Sequence, residues 1–408
     1  RGNFAMWIVL LMSALMLGTA VSFQDGSDET DSDEQGTTSL DSTGVDLDEP
    51  DIVPLDQVLD APEITPTGDD SDDDSDASDP AADPIIVLPG IDTAGTDGAD
   101  LFELGPEVAD VGFDTQSVTG GTGDDAIVLT GPDGALSGAG SPLTFSNATI
   151  EGGTGNDTIT ASADSSLVSG GEGDDQITIG AAGNSTIIGG AGDDEITGLL
   201  EASSTAFIDG GEGNDTIDAT QMDNVNVVGG AGDDTILLSG MNDEGAGYAI
   251  TADGGAGMDR IQFDGSAVTD PDLFGAISVQ GGADVDTFAL NINEGLDLGA
   301  ALSDDDPASL DVITLSDFEP GIDRIEIELA RLDSDYAVAA ARMEEDSEAG
   351  TTEVIVSYES DTDTNRELVV TLNATGVAWT DITFLGDDQP TELIAPTIVA
   401  PPAPATTV

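Results

Sequence analysis

A nine-residue unit that opens on two glycines recurs eight times in this chain, and it limits the possible folds more than any other feature. It begins at Gly120 (GGTGDDAIV), Gly152 (GGTGNDTIT), Gly170 (GGEGDDQIT), Gly189 (GGAGDDEIT), Gly210 (GGEGNDTID), Gly229 (GGAGDDTIL), Gly254 (GGAGMDRIQ) and Gly281 (GGADVDTFA). Position six is always aspartate: Asp125, Asp157, Asp175, Asp194, Asp215, Asp234, Asp259 and Asp286. Position eight is isoleucine in seven copies and Phe288 in the last. A weaker copy at Gly95 (GTDGADLFE) keeps Asp100 and Phe102 at the same offsets.

Paired glycines permit a tight turn at positive φ that a Cβ would obstruct. The turn can aim several carbonyl oxygens to one side, and the aspartate adds a hard anionic oxygen. Carbonyl plus carboxylate is the donor set that calcium prefers, with six to eight oxygens per ion. The last three residues then leave as a short strand whose middle side chain, position eight, faces inward. Successive units start 32, 18, 19, 21, 19, 25 and 27 residues apart, so the dominant period is about two units. The residues between copies keep the register without the glycines. Val118, Ile150, Val168, Ile187, Ile208, Val227 and Val279 hold the matching inward place, with Ala252 as the exception. In Gly180–Ile188 (GAAGNSTII), Ser185 stands where aspartate belongs. Each turn of chain therefore has two strands and two bends, one bearing the Gly/Asp loop and one that has lost it. That predicts an all-β solenoid with cation sites along one edge only.

The unit resembles the nonapeptide of the repeats-in-toxin (RTX) family, whose calcium-binding consensus has this spacing. The resemblance covers roughly residues 95–330. It implies a right-handed parallel β-roll, or β-helix, with Ca2+ held between stacked loops. On that basis ions sit between Asp157/Asp175, Asp175/Asp194, Asp194/Asp215 and Asp215/Asp234, and across longer spacings between Asp125/Asp157, Asp234/Asp259 and Asp259/Asp286. Four to seven ions are expected, with Asp100 as a further candidate ligand. Asp311–Leu329 looks like the cap that closes such rolls, and Thr351–Leu385 resembles the β-rich segment that follows. Family members are secreted, often through a C-terminal signal.

Charge agrees with a cation-binding surface. There are 84 acids against 6 bases, all arginine, and no basic residue lies between Arg1 and Arg260. Such a surface repels phosphate backbones, which excludes nucleic acid as a partner. The absence of His, Cys and Lys removes Ser/His/Asp triads, thiol nucleophiles, zinc and haem ligation by His or Cys, and phosphate-loop or Schiff-base lysines. Stacked carboxylates also repel one another, so the roll is expected to fold only when calcium is present. Extracellular calcium modules bind at about 10⁻⁴–10⁻³ M, so the chain would fold after export.

The remaining segments divide as follows. Residues 1–23 include a 20-residue apolar run at 4–23, which serves either as a membrane-anchoring helix or as a signal segment cleaved near Gly18-Thr19-Ala20. Residues 24–83 form an acidic linker, with 21 acids between 24 and 80, expected to be disordered. The β-roll is placed at 84–300, a β-rich cap at 301–390 and a Pro-rich tail at 391–408. Glu344/Glu345 read as a solvated helix face.

Three functions fit. The first is a non-enzymatic structural or adhesive protein, outside the cell or on the surface of a bacterium, that binds a cell-surface or matrix partner. The second is a secreted enzyme or accessory module acting on extracellular polysaccharide. The third is a passive spacer that calcium stiffens.

Overall fold

Inward-facing residues at two places per turn require two sheets, one on each side of a shared core. The computed structural model describes residues 84–399, apart from 105–112, 131–143, 181–182, 200–204, 223, 240–248, 266–276, 293–308, 330–335, 361–365 and 387–388. The expected apolar helix at 4–23 and the linker at 24–83 lie outside the described residues. Among the described residues no helix is long and apolar enough to cross a membrane.

Each coil contributes one strand to each sheet. Thr149–Thr154, Leu167–Glu172, Thr186–Ala191 and Thr205–Glu212 are successive neighbours in one; Thr158–Asp164, Gln176–Gly180, Glu195–Leu199 and Thr216–Gln221 are successive neighbours in the other. All these pairings are parallel, and all hold register except for one shift between Thr197 and Leu199 against Thr216–Gln221. Ile159, Ile177, Ile196 and Ile217 align across the second sheet. Ile150, Val168, Ile187 and Ile208 align across the first. Both columns are buried, and with parallel pairing on both sides this is the arrangement of a β-roll. Ala252 keeps its place in the first column, between Val227 and Val279. Where Gly198 leaves room, the buried thioether of Met222 occupies it.

The irregular spacing between repeats is absorbed on one side only. From the first glycine to position eight the unit never changes length. The opposite connections vary from Asp164–Leu167 at the shortest to Ile292–Ser309 at the longest.

Strand pairing continues past residue 300. Ser309–Leu315 pairs with Ile277–Ala283, and Arg324–Leu329 pairs with Thr287–Ile292, both parallel. The stretch 311–329, which resembles the cap of such rolls, lies in strands that form one more coil. Arg366–Leu372 and Ile382–Leu385 extend the two sheets by another parallel strand each. Only then does the first sheet turn antiparallel, through Thr351–Ser360 and Tyr336–Asp346. The helix face expected at Glu344/Glu345 is a correction. Both residues lie in the strand Tyr336–Asp346, because the sequence turns back at Gly350, at φ +77°, and pairs with the β-branched run Thr351–Ser360. Arg342 ties this hairpin to the next strand through two hydrogen bonds to Glu367, at 2.7 and 2.8 Å. Glu392–Leu393 and Thr397–Ile398, within the Pro-rich tail at 391–408, add to the edge of Tyr336–Asp346 as short parallel strands.

Candidate metal centre

The first two glycines of each unit finish a strand of the first sheet, and the chain then bends into the second. Gly171 and Gly173 sit at φ +127° and +128°, conformations an L side chain rarely adopts. Closeness of the coils matters as much: a Cβ on Gly171 would strike the carbonyl oxygen of Gly153 in the preceding coil. The loops are therefore stacked backbone on backbone.

That stacking lines the position-six aspartates into one buried column from Asp125 to Asp286. Each carboxylate does two different things. Its Oδ1 accepts the backbone N–H of the aspartate one coil earlier: Asp125 N–H donates to Asp157 at 2.7 Å, Asp157 to Asp175 at 2.7 Å, Asp175 to Asp194 at 2.8 Å and Asp194 to Asp215 at 2.9 Å. The series continues from Asp215 to Asp234 at 2.8 Å, Asp234 to Asp259 at 2.9 Å and Asp259 to Asp286 at 3.0 Å. The longer spacings in sequence thus give the same geometry as the short ones. The other oxygen, Oδ2, is buried and has no hydrogen-bond partner at Asp125, Asp157, Asp175, Asp194, Asp215, Asp234 and Asp259.

Each of those oxygens faces the first glycine of its own unit. A Cβ at Gly152 would run into Oδ2 of Asp157 and the carbonyl oxygen of Gly170, one coil on. The same pairing recurs at Gly120, Gly170, Gly189, Gly210, Gly229 and Gly254. The missing side chain leaves a space bounded by a carboxylate oxygen from one coil and a carbonyl oxygen from the next.

The column has closed ends. Asp100 gives Oδ2 to the N–H and hydroxyl of Thr96, at 2.6 and 3.0 Å, while its own N–H donates to Asp125 at 2.8 Å. At the far end Asp323 accepts the N–H of Asp286 on Oδ1, at 3.1 Å, and that of Glu319 on Oδ2, at 2.7 Å. Sequence reasoning missed Asp323. Its signal was Gly321-Ile322-Asp323-Arg324-Ile325, which keeps positions four, six and eight of the unit without the leading glycines.

A second column, at position five, was also missed. Asp124 accepts the N–H of Asn156 at 2.9 Å, Asn156 that of Asp174 at 3.0 Å, and Asp174 that of Asp193 at 2.9 Å. Asp193, Asn214 and Asp233 carry it on as far as the N–H of Met258. This outer column runs in the opposite sense to the inner one and is solvent-exposed.

The edge without Gly/Asp loops has a column of its own. Ser185 Oγ accepts the N–H of Ser166 at 3.1 Å, Ser166 Oγ that of Ala148 at 3.0 Å, and Gln116 Oε1 that of Gly90 at 3.0 Å. These residues occupy the slot that aspartate fills on the other edge. The loss of the loop was legible; its replacement by neutral acceptors was not.

The family model of the RTX calcium-binding nonapeptide repeat matches four copies in this chain, at residues 146–178, 179–200, 207–221 and 223–243. Residues 146–243 are an RTX calcium-binding repeat array. No curated protein matches the chain. The inner-column geometry extends beyond the matched RTX residues in both directions, to Asp125 and to Asp286.

Charge in the inner column is strained without a cation. Burial pushes Asp194 and Asp234 up to about 7, and Asp125, Asp175, Asp259 and Asp286 up to about 6. The N–H from the preceding coil pulls each of them back in part, and neighbouring carboxylates push them higher. Asp157 and Asp215 are raised by burial as well. Among the described residues, no three acidic side chains gather into a cluster able to hold a metal on their own. An ion here would draw donors from backbone carbonyls as well as carboxylates. The residues fit calcium on that basis, with a spare buried carboxylate oxygen, a carbonyl oxygen opposite it and only hard donors in the loop.

Proposed function

We propose that Asp125, Asp157, Asp175, Asp194, Asp215, Asp234, Asp259 and Asp286 are the calcium ligands, with the carbonyl of the next coil's first glycine completing each link from Asp125 to Asp259. Eight glycine spaces have this pairing, and in seven of them the carboxylate oxygen has no hydrogen-bond partner, the upper end of the four to seven ions expected from sequence. Asp100, with its Oδ2 already taken by Thr96, closes the column. Bound calcium supplies positive charge and coordination where the chain has only repelling carboxylates. Without it, seven buried anionic oxygens lack any partner, and that one observation carries the reading.

The roll is then an export-coupled scaffold, unfolded where calcium is scarce and folded outside the cell. We read the whole as a non-enzymatic structural or adhesive protein at or beyond a bacterial surface. Residues 4–23 would anchor it or direct its export. The test is circular dichroism of the full chain during calcium titration, with chelator reversal. A β signal should appear with calcium and vanish with chelator. A full β signal in excess chelator, unchanged by calcium, would sink the proposal.

A further inference from the structure

Tyr336–Asp346, at eleven residues the longest described strand, has a second neighbour on its outer side. An edge of that length offers a row of backbone groups to any extended segment that reaches it. The segment that reaches it is Thr391–Val399. Ala340 and Ala341 pair with Glu392 and Leu393, and Glu344 and Glu345 pair with Thr397 and Ile398. The N–H groups of Thr391, Ile394 and Val399 donate to the carbonyls of Ala339, Ala341 and Glu345, at 3.1, 2.8 and 2.8 Å. Trp379 Nε1–H donates to the carbonyl of Ile394 at 3.1 Å. The backbone is docked, yet the side chains are not. All four large apolar residues of the segment stay exposed, from 40% at Ile394 to 67% at Ile398. Thr205–Glu212 and Asn224–Ala231, in the same sheet, bury alternate residues through most of their length. The segment is also nearly uncharged: residues 389–408 hold one acid, Glu392, and no base, in a chain with 84 acids.

We infer that Thr391–Val399 is an exchangeable strand: in a pair of chains, each lays this segment along Tyr336–Asp346 of the other, giving a two-fold dimer. The bonds themselves identify the occupant. A second copy offers the same N–H groups in the same order, so every bond seen within the chain can form between chains. Little side-chain burial holds the segment to its own strand, so it detaches more readily than the strands of the roll. In the pair, the apolar side chains that the single chain leaves in water gain a second surface to bury against. Charge does not forbid the contact. Salt at about 0.15 M confines the repulsion between two acidic rolls to about 8 Å. The receiving strand has Glu344, Glu345 and Asp346, but the segment already lies beside them within one chain, so exchange adds no new charge contact there.

The chain has no cysteine, so introduced ones report the pairing directly. Ala340 and Glu392 are register partners. One full chain with Ala340→Cys and another with Glu392→Cys are unfolded together in urea, refolded at saturating calcium and mildly oxidised. Covalent heterodimers should form in clear excess over both homodimers. With Asn226→Cys, on a strand well inside the roll, in place of Glu392→Cys, no such excess should appear. The readout is specific to these positions, so association through residues 4–23 does not mimic it. It is also made on the folded chain, so it stands whether or not calcium drives folding. Leu393→Asp with Ile398→Asp in both chains should cut the heterodimer yield by about tenfold or more and leave the circular dichroism of the roll unchanged. A single chain with both Ala340→Cys and Glu392→Cys should run as a covalent dimer on a denaturing gel when refolded at high concentration. If it runs only as a monomer locked within itself, and the mixed chains give no excess heterodimer, the exchange is overturned.

Discussion

The two edges of the roll solve the same problem with different atoms. On the aspartate edge throughout, and on the other edge at Ser166 and Ser185, the residue just before a strand is buried and its side-chain oxygen accepts the N–H of its counterpart one coil earlier. On one edge that residue is Ser166 or Ser185, whose single oxygen is fully used. On the other it is aspartate, which has an oxygen left over and a charge with it. A neutral hydroxyl gives a bend that holds without help, whereas a carboxylate gives one that is incomplete until a cation arrives. The difference in length follows. The aspartate edge must keep glycine carbonyls and carboxylates in line, so its loop never varies; the serine edge accepts insertions.

The strongest way to break this contrast is through the backbone. Gly190 sits at φ +130°, against the carbonyl oxygen of Gly171. Gly190→Ala should prevent stacking and abolish the calcium-induced β signal, even at calcium well above the ~10⁻³ M range of extracellular modules. Asn184, on the serine edge, also has positive φ, at +54°, but asparagine tolerates this where β-branched residues do not. Asn184→Ala should cost about 1–2 kcal/mol in urea melts of the calcium-loaded protein and keep the transition. A Gly190→Ala protein that titrates normally would show that the loops need not stack.

Next in size is the charge itself. Asp194→Asn with Asp215→Asn keeps two Oδ1 acceptors and removes both spare anionic oxygens. Calorimetry should count about two fewer ions, with a weaker folding transition. Ser166→Ala with Ser185→Ala leaves buried N–H groups unpaired and should cost about 1–3 kcal/mol each at saturating calcium, with the ion count unchanged. Equal ion loss in the two double variants would erase the distinction between the edges.

Most of the frame was readable beforehand because it repeats. Position eight and the alternate-strand residues are large and apolar at fixed offsets, so Ile177 and Val168 could be placed in the core without a structure. The aspartate column was readable for the same reason. What escaped depends on register between coils rather than on pattern within one. The serine ladder uses Gln116, Ser166 and Ser185, whose chemistry varies too much to stand out as a repeat. Asp323 lost its glycines and so looked like part of a cap. Glu344 and Glu345 read as helical because the strand Tyr336–Asp346 is rich in alanine, a good helix former, and only the pairing with Thr351–Ser360 overrides it.

Acidity should act on one edge alone. Buried in the metal-free roll, Asp194 and Asp234 titrate near 7 rather than at the ordinary 3.8. A raised folded-state value means that the folded chain holds protons the unfolded chain has released. The metal-free fold is then favoured fully below about pH 4 and loses that support as pH rises through about 6 to 7. Where that protonated metal-free fold is populated, calcium must displace the same protons, so its midpoint should be severalfold higher at about pH 5 than at about pH 8. Serine does not titrate in this range, and the serine double variant should show the same pH slope as the parent chain. A midpoint independent of pH would mean that the column is not protonated where burial says it is.

The smallest effect tests whether it is aspartate as such, or its spare oxygen, that marks a metal site. Asp323 stands in the column but has both oxygens committed, to Asp286 and to Glu319. In this respect it belongs with the serines. Asp323→Asn can keep the bond from Asp286 through its amide oxygen and loses the charge-assisted one from Glu319, a change of about 1–3 kcal/mol. The expected outcome is a modest drop in stability with no change in bound ions. If Asp323→Asn instead loses an ion, as Asp194→Asn should, then hydrogen-bond satisfaction does not decide which carboxylates bind calcium. Position in the column would decide it, and the end of the metal row would move one coil toward the C-terminus.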